Sequence, residues 1–180
     1  MQKESQNNYY IPDEDSIFLA DYLEDQRGDS ALDIGTGSGI LAKVLSKNFE
    51  LVVATDVNLF ALKKAHVDIA NCVCCNAADA LVANFDLIVC NLPYLPSDDL
   101  VDVTVDGLHE GIEIPSMIIK SASDRIMKNG KMIFLTSSLA NYNVLIELCQ
   151  SLGFDSKIAA KKKLFYEELL IIECVRRLHE

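Results

Sequence analysis

The stretch Ala31-Leu32-Asp33-Ile34-Gly35-Thr36-Gly37-Ser38-Gly39-Ile40-Leu41 admits few folds. A short apolar strand ends in three alternate glycines and runs straight into an apolar helical pattern. Such a junction lets bare backbone turn sharply and come close to a ligand at the end of a strand. On its own it is also the tight turn of any doubly wound sheet.

Two acids narrow the ligand. A dinucleotide fingerprint places its third glycine where this chain has Ile40, and Asp33 stands two residues before Gly35. A carboxylate there repels a pyrophosphate and suits a cation. Asp56 closes the next apolar run, Leu51-Val-Val-Ala-Thr55, about 20 residues beyond the first glycine, where an acid holds ribose hydroxyls. A positively charged nucleoside satisfies both acids, and S-adenosyl-L-methionine is the obvious one.

The remaining pattern alternates. Apolar helical faces follow Gly39 and run through Leu59, Leu62, Ala65 and Ile69, with His66 beside the latter face in a structural role. Strands are expected at Asn71 to Asn76, Phe85 to Cys90 and Lys131 to Thr136. A helix face through Ile114, Met117, Ile118, Ser121, Ala122, Arg125 and Ile126 is stopped by Asn129-Gly130, and one through Leu145 and Cys149 is ended by Gly153. Phe154 to Ala159 and Leu164 to Val175 read as a hairpin joined by the Lys161-Lys162-Lys163 turn. The expected fold is therefore α/β, a doubly wound, seven-stranded, mostly parallel sheet with a C-terminal antiparallel hairpin and ligands at its carboxyl edge. Residues 1–180 are expected to form one domain, with 1–29 as a helical extension, capped by Asp13 or Asp15, that borders the cofactor site.

Charge and cysteines restrict the partners. The formal net charge of −11 disfavours a polyanion as the main substrate, although a local RNA contact through the lysine run stays open. The polar N-terminus is not a secretory signal and the apolar runs are broken by glutamates, so a cytoplasmic protein without membrane spans is expected. Six cysteines without an export signal imply free thiols, and Cys72-x-Cys74-Cys75 lacks a second ligand pair, so it reads as buried thiols in a strand with no metal site.

Tyr10-x-Pro12-x-Glu14-Asp15-Ser16, the glycine turn, Asp56, Asp79-Ala80, Asn91-Leu92-Pro93-Tyr94 and Asp106-Gly-Leu-His-Glu-Gly111 occur in one order. Together they resemble the seven-stranded, Rossmann-like S-adenosylmethionine-dependent methyltransferases, and within them the HemK/PrmC-type glutamine methyltransferases of translation release factors. The resemblance is to the single-domain archaeal and eukaryotic branch. It implies that Ser16 approaches the methionine end of the cofactor, Asp33, Gly35 and Gly37 its amino acid part, Asp56 the ribose and Asp79 with Ala80 the adenine. It places Asn91, Leu92, Pro93 and Tyr94 at the acceptor. The family motif there is Asn-Pro-Pro-Tyr; Leu92 departs from it, freeing one φ angle and adding an N–H.

A carboxamide nitrogen is a poor nucleophile because its lone pair is shared with the carbonyl. The Asn91 side-chain oxygen and the Leu92 carbonyl could hold its two N–H groups and favour the pyramidal form, with Tyr94 walling the pocket. The same tetrapeptide serves adenine amino groups in RNA or DNA, and acids at 98, 99, 102, 106 and 110 could attract a lysine peptide. The charge favours protein glutamine. A non-catalytic scaffold is the rival from another class, and the complete set of Asp33, Asp56, Asp79 and Asn91 argues against it. The third strand should lie at a sheet edge, and Asn71 to Asn76 carries no Lys, Pro or acid to discourage pairing. The resemblance implies that a small zinc-binding activator protein covers it by strand addition, with a homodimer as the second choice and shielding by the chain's own helices as the plain alternative.

Overall fold

Strand β1 (Gly28–Ile34) is buried from Ser30 onward, so both of its faces need a covering layer. The computed structural model, which describes residues 14–95 and 111–177, supplies those layers. Tyr10 and Pro12 of the opening motif, His109 and the acids at 98, 99, 102, 106 and 110 lie outside the described residues. In chain order the elements are α1 (Glu14–Leu23), β1, α2 (Ile40–Leu45), β2 (Phe49–Asp56), α3 (Leu59–Ala65), β3 (Asn71–Cys74) and β4 (Phe85–Asn91). Then follow α4 (Glu113–Ser123), β5 (Ile126–Ser137), α5 (Tyr142–Ser151), β6 (Phe154–Lys163) and β7 (Glu168–Arg176). The seven strands form one sheet in the order β3-β2-β1-β4-β5-β7-β6. Neighbours from β3 to β5 pair in parallel, and β7 runs antiparallel to both β5 and β6.

The period of two along each strand divides the interior into two cores. Ala31, Leu87, Val89, Ile133, Leu135 and Ile171 pack on one face with Leu19 and Leu23 of α1 and Leu41 and Leu45 of α2. Their neighbours Leu32, Ile34, Ile88, Cys90, Met132 and Phe134 face the other way, toward Ile119 and Ala122 of α4 and Leu145 and Cys149 of α5. This alternation positions the site. Asp33 shares the α1–α2 face with Ala31, and Asn91 shares it with Val89. Ten-residue α1 is too short to be stable alone, so the burial of Leu19 and Leu23, each contributing about 1.5–3 kcal/mol, holds it there.

Several expected boundaries move. The sheet-facing residues of α4 are Pro115, Ile119, Ala122 and Ser123, one step round from the expected stripe. Asn129-Gly130 does not stop a helix: α4 ends at Ser123, capped by Asp124, and the pair lies inside β5, where Asn129 takes φ 72° and the register with β4 shifts. Lys161, Lys162 and Lys163 belong to β6, and the turn is 164–167, closed by the Leu164 N–H to the Glu167 carbonyl. Leu59 is exposed rather than inward-facing. Strand β3 stops at Cys74 instead of Asn76, and its thiols are not buried: Cys74 is exposed, and Cys72 and Cys75 are half-buried. His66 ends α3, its Nδ1 3.0 Å from the Ile69 carbonyl. Among the described residues no helix is long and apolar enough to cross a membrane, and no three His, Cys, Asp or Glu side chains converge on a metal position.

Candidate active site

The parallel strands end on a cavity of about 300 Å³. Its floor is the glycine turn, where Gly35, Gly37 and Gly39 all take positive φ. At Gly35, with φ 69°, an added Cβ would meet nothing within 4 Å, so the backbone there is bare toward open space. The turn hangs from β2, since the Gly35 and Thr36 N–H groups donate to the Thr55 carbonyl at 2.8 and 2.9 Å.

The two acids differ. Asp56 lines the cavity and braces its floor, one carboxylate oxygen accepting from the Gly37 N–H at 2.9 Å and the other from the Asn58 N–H at 2.8 Å. Lone pairs remain for two further donors. Asp33 is fully buried beneath the turn; its Oδ2 accepts from the Thr36 hydroxyl at 2.7 Å and the Ala42 N–H at 3.1 Å, while its Oδ1 has no hydrogen-bond partner. Burial drives the Asp33 carboxyl up to about 7; its two hydrogen bonds oppose the rise and nearby Asp56 adds to it. Such a carboxyl is readied for a cation, which would restore the charged form.

Asn91 ends β4, one residue beyond the Ile34–Cys90 pair and so level with Gly35. Its Nδ2 donates to Asp15 Oδ2 at 3.1 Å and to the Ser16 hydroxyl at 3.2 Å. Its Oδ1 is buried and has no partner among the described residues. A carboxylate only accepts, so the amide must present its nitrogen to Asp15 and keep its oxygen on the other side. Leu92 turns into the opposite core, 2% exposed, and its N–H donates to the Leu135 carbonyl at 3.1 Å. The N–H that proline would lack thus extends the β4–β5 ladder.

The structure brings Ser16, Gly35, Gly37, Asp56, Asn91 and Pro93 together around the cavity. Asp33 sits just beneath it. Tyr94 packs against the α1-side core instead of lining the cavity, with its carbonyl beneath Gly111. Asp79 and Ala80 are exposed and outside the lining; Asp79 accepts from the Ser121 hydroxyl at 2.6 Å and from Asn76 Nδ2 at 3.2 Å. The wall at that end is Cys75-Asn76-Ala77, with Ala77 held at φ 44°, facing Ile114, Met117 and Ile118 of α4. Neither wall was identified from sequence: the α4 residues read as core, and nothing marked Ala77. Ser38 was also missed, although its hydroxyl is buried without a partner at the cavity.

A family model, the methyltransferase small domain, matches residues 9–166. The chain belongs to this family. A Methanocaldococcus jannaschii methyltransferase, provisionally named a protein N5-glutamine methyltransferase, is 32% identical over 93% of this chain and 91% of its own. A chain of the E. cuniculi Mtq2-Trm112 complex, which methylates the translation termination factor eRF1, superposes with a TM-score of 0.80 at 25% identity, over 94% of this chain and 99% of that one. The N-methyltransferase NodS of Bradyrhizobium japonicum, solved with S-adenosyl-L-homocysteine, shares the fold at a TM-score of 0.69 and 14% identity over 91% and 88% of the two chains. The protein is an S-adenosylmethionine-dependent methyltransferase. The site suits that donor: a bare glycine floor, a fully buried acid beneath it, a half-buried acid on its lining and an apolar wall at one end.

Proposed function

We propose that this methyltransferase modifies the side-chain amide nitrogen of a glutamine in a protein, a translation release factor. The observation that carries the reading is the buried, unpartnered Asn91 Oδ1, turned away from α1 by that helix's grip on the amide nitrogen. The names of the M. jannaschii and E. cuniculi relatives support it.

In this reading S-adenosylmethionine supplies a methyl group on a sulfonium, open to displacement by a neutral nucleophile. Asp33 pairs with the donor's ammonium and Ser16 borders its methionine end. Backbone at Gly35 and Gly37 makes room for the amino acid part, and Asp56 accepts from the ribose hydroxyls. Ile114, Met117 and Ile118 on one side and Asn76-Ala77 on the other would hold the adenine. Asp79, joined to Ser121 and Asn76, braces that wall, and Ala80 continues it. Asn91 Oδ1 and the Leu92 carbonyl accept the two N–H groups of the glutamine amide, which loosens the lone pair from its carbonyl and leaves it free to attack. Pro93 lines the acceptor side, and Tyr94 backs it from the α1-side core. No general base is required, because the nitrogen becomes strongly acidic once methylated. Residues 1–180 work as one methyltransferase domain in the cytoplasm, with Ser16 of α1 bordering the donor.

The partner belongs to the same reading. Among the described residues strand β3 pairs only with β2 and leaves its other edge open, and Val57, Leu59 and Phe60 beside it are each more than half exposed. A small zinc-binding activator subunit covers this edge by strand addition. The test of acceptor class uses methyl-labelled donor with a release factor in one tube, and RNA or DNA in others. Label in the release factor alone is expected; label in nucleic acid alone would replace glutamine with a base amino group.

A further inference from the structure

We propose that Asp15 is a positioning residue that locks the Asn91 amide in the orientation offering its oxygen to the acceptor. The inference rests on the glutamine reading and assigns a role to a residue that reading leaves idle.

An asparagine amide has nearly the same shape when turned over, so packing alone does not choose which end faces the substrate. The wrong end would set an NH2 donor against the NH2 donors of the incoming amide. The Ser16 hydroxyl, 3.2 Å from Nδ2, does not settle the matter, because a hydroxyl donates as well as accepts. The Asp15 carboxylate does. It is 8% exposed, its Oδ1 takes the Ser16 backbone N–H, and its Oδ2 takes Asn91 Nδ2 at 3.1 Å. A turned-over Asn91 would put oxygen against carboxylate oxygen and lose a charge-assisted hydrogen bond. That biases the amide by roughly 10- to 100-fold toward the productive face. The fold delivers the lock because Asn91 follows Leu87 and Val89 on the α1 face of β4, where Leu19 and Leu23 anchor the helix carrying Asp15.

Asp15→Asn keeps the shape and reverses the lock, since an oxygen kept on the Ser16 N–H turns the new NH2 toward Asn91. With release factor as acceptor, kcat/KM should fall roughly 10- to 100-fold while donor Kd stays at the wild-type value. The exchanged pair, Asp15→Asn with Asn91→Asp, should recover to within roughly tenfold of wild type, because the amide at position 15 donates to one oxygen of the carboxylate at 91 and leaves the other as acceptor. A merely structural Asp15 predicts no such rescue. Unchanged kcat/KM in Asp15→Asn, or an exchanged pair no better than the single variant, would overturn the lock. If the wild-type enzyme leaves the release factor unmodified, the glutamine reading fails, and the lock is judged by nitrogen-15 NMR without acceptor. The Asn91 side-chain NH2 protons should exchange slowly with water in the wild type and rapidly in Asp15→Asn; equal rates would overturn it.

Discussion

Asp33 Oδ2 is satisfied by Thr36 and Ala42, while its Oδ1 is buried without a partner and burial lifts its carboxyl from 3.8 to about 7. Because the folded value lies above the unfolded one, the folded state holds its proton longer. The contribution of this carboxyl to stability is then greatest below about pH 4, falls as pH rises toward 7 and is level beyond. Keeping this carboxyl ionised at pH 8 costs about 4 kcal/mol. Asp33→Asn removes that cost but leaves an amide N–H₂ unpaired, so a net gain of about 1–3 kcal/mol is expected at pH 8. Thermal melts should show Tm several degrees higher at pH 8, with the gain shrinking at pH 5. Calorimetry should show donor affinity lost in the variant, and in the wild type weakened as pH falls through 7. A variant neither more stable nor poorer in donor binding would refute this account of Asp33.

Among the elements, α1, β5, β6 and β7 meet at one buried acid. Glu173 on β7 accepts from Lys131 of β5 at 3.2 Å and Lys157 of β6 at 3.1 Å, and the Tyr22 hydroxyl of α1 lies 3.5 Å away. Burial pushes its carboxyl up, but the two lysines outweigh burial and hold it below the ordinary glutamate value. Its stabilisation is present above pH 4.5 and is lost as pH falls through the depressed folded value. Glu173→Gln should cost about 1–2 kcal/mol at pH 7 in urea unfolding, less than a fully buried pair because both lysines can turn to water. The difference from wild type should vanish in strong acid, and a constant difference would contradict the ion-pair account. Buried strands such as β1 and β4 were legible because their apolar runs admit no other placement. Asn129-Gly130 misled because a positive-φ residue beside glycine serves a bulge as well as a helix stop. The lysine run misled because β6 is an edge strand whose outward residues are free to be charged.

At the scale of the whole molecule, the order of motifs revealed the site's floor, since strand ends and glycine turns are local features. Its walls were hidden. The α4 stripe Ile114-Met117-Ile118 looks like core in sequence and becomes cavity wall only because the sheet-facing residues are Pro115, Ile119 and Ala122. The grip of Asp15 on Asn91 spans 76 positions and needs the tertiary fold to exist. The open β3 edge also belongs to this scale. Cys74→Lys places a charge on its exposed end and should abolish co-purification with the proposed activator subunit while leaving donor affinity intact; retained co-purification would move the interface elsewhere.

The most direct measurement is tandem mass spectrometry of a release factor incubated with the enzyme, the proposed activator subunit and S-adenosylmethionine carrying a deuterated methyl group. One labelled methyl on a glutamine side-chain nitrogen, absent when Asn91→Ala replaces the wild type although that variant still binds donor, is the predicted result. Label on a lysine, or on glutamine at the same rate in Asn91→Ala, would contradict it.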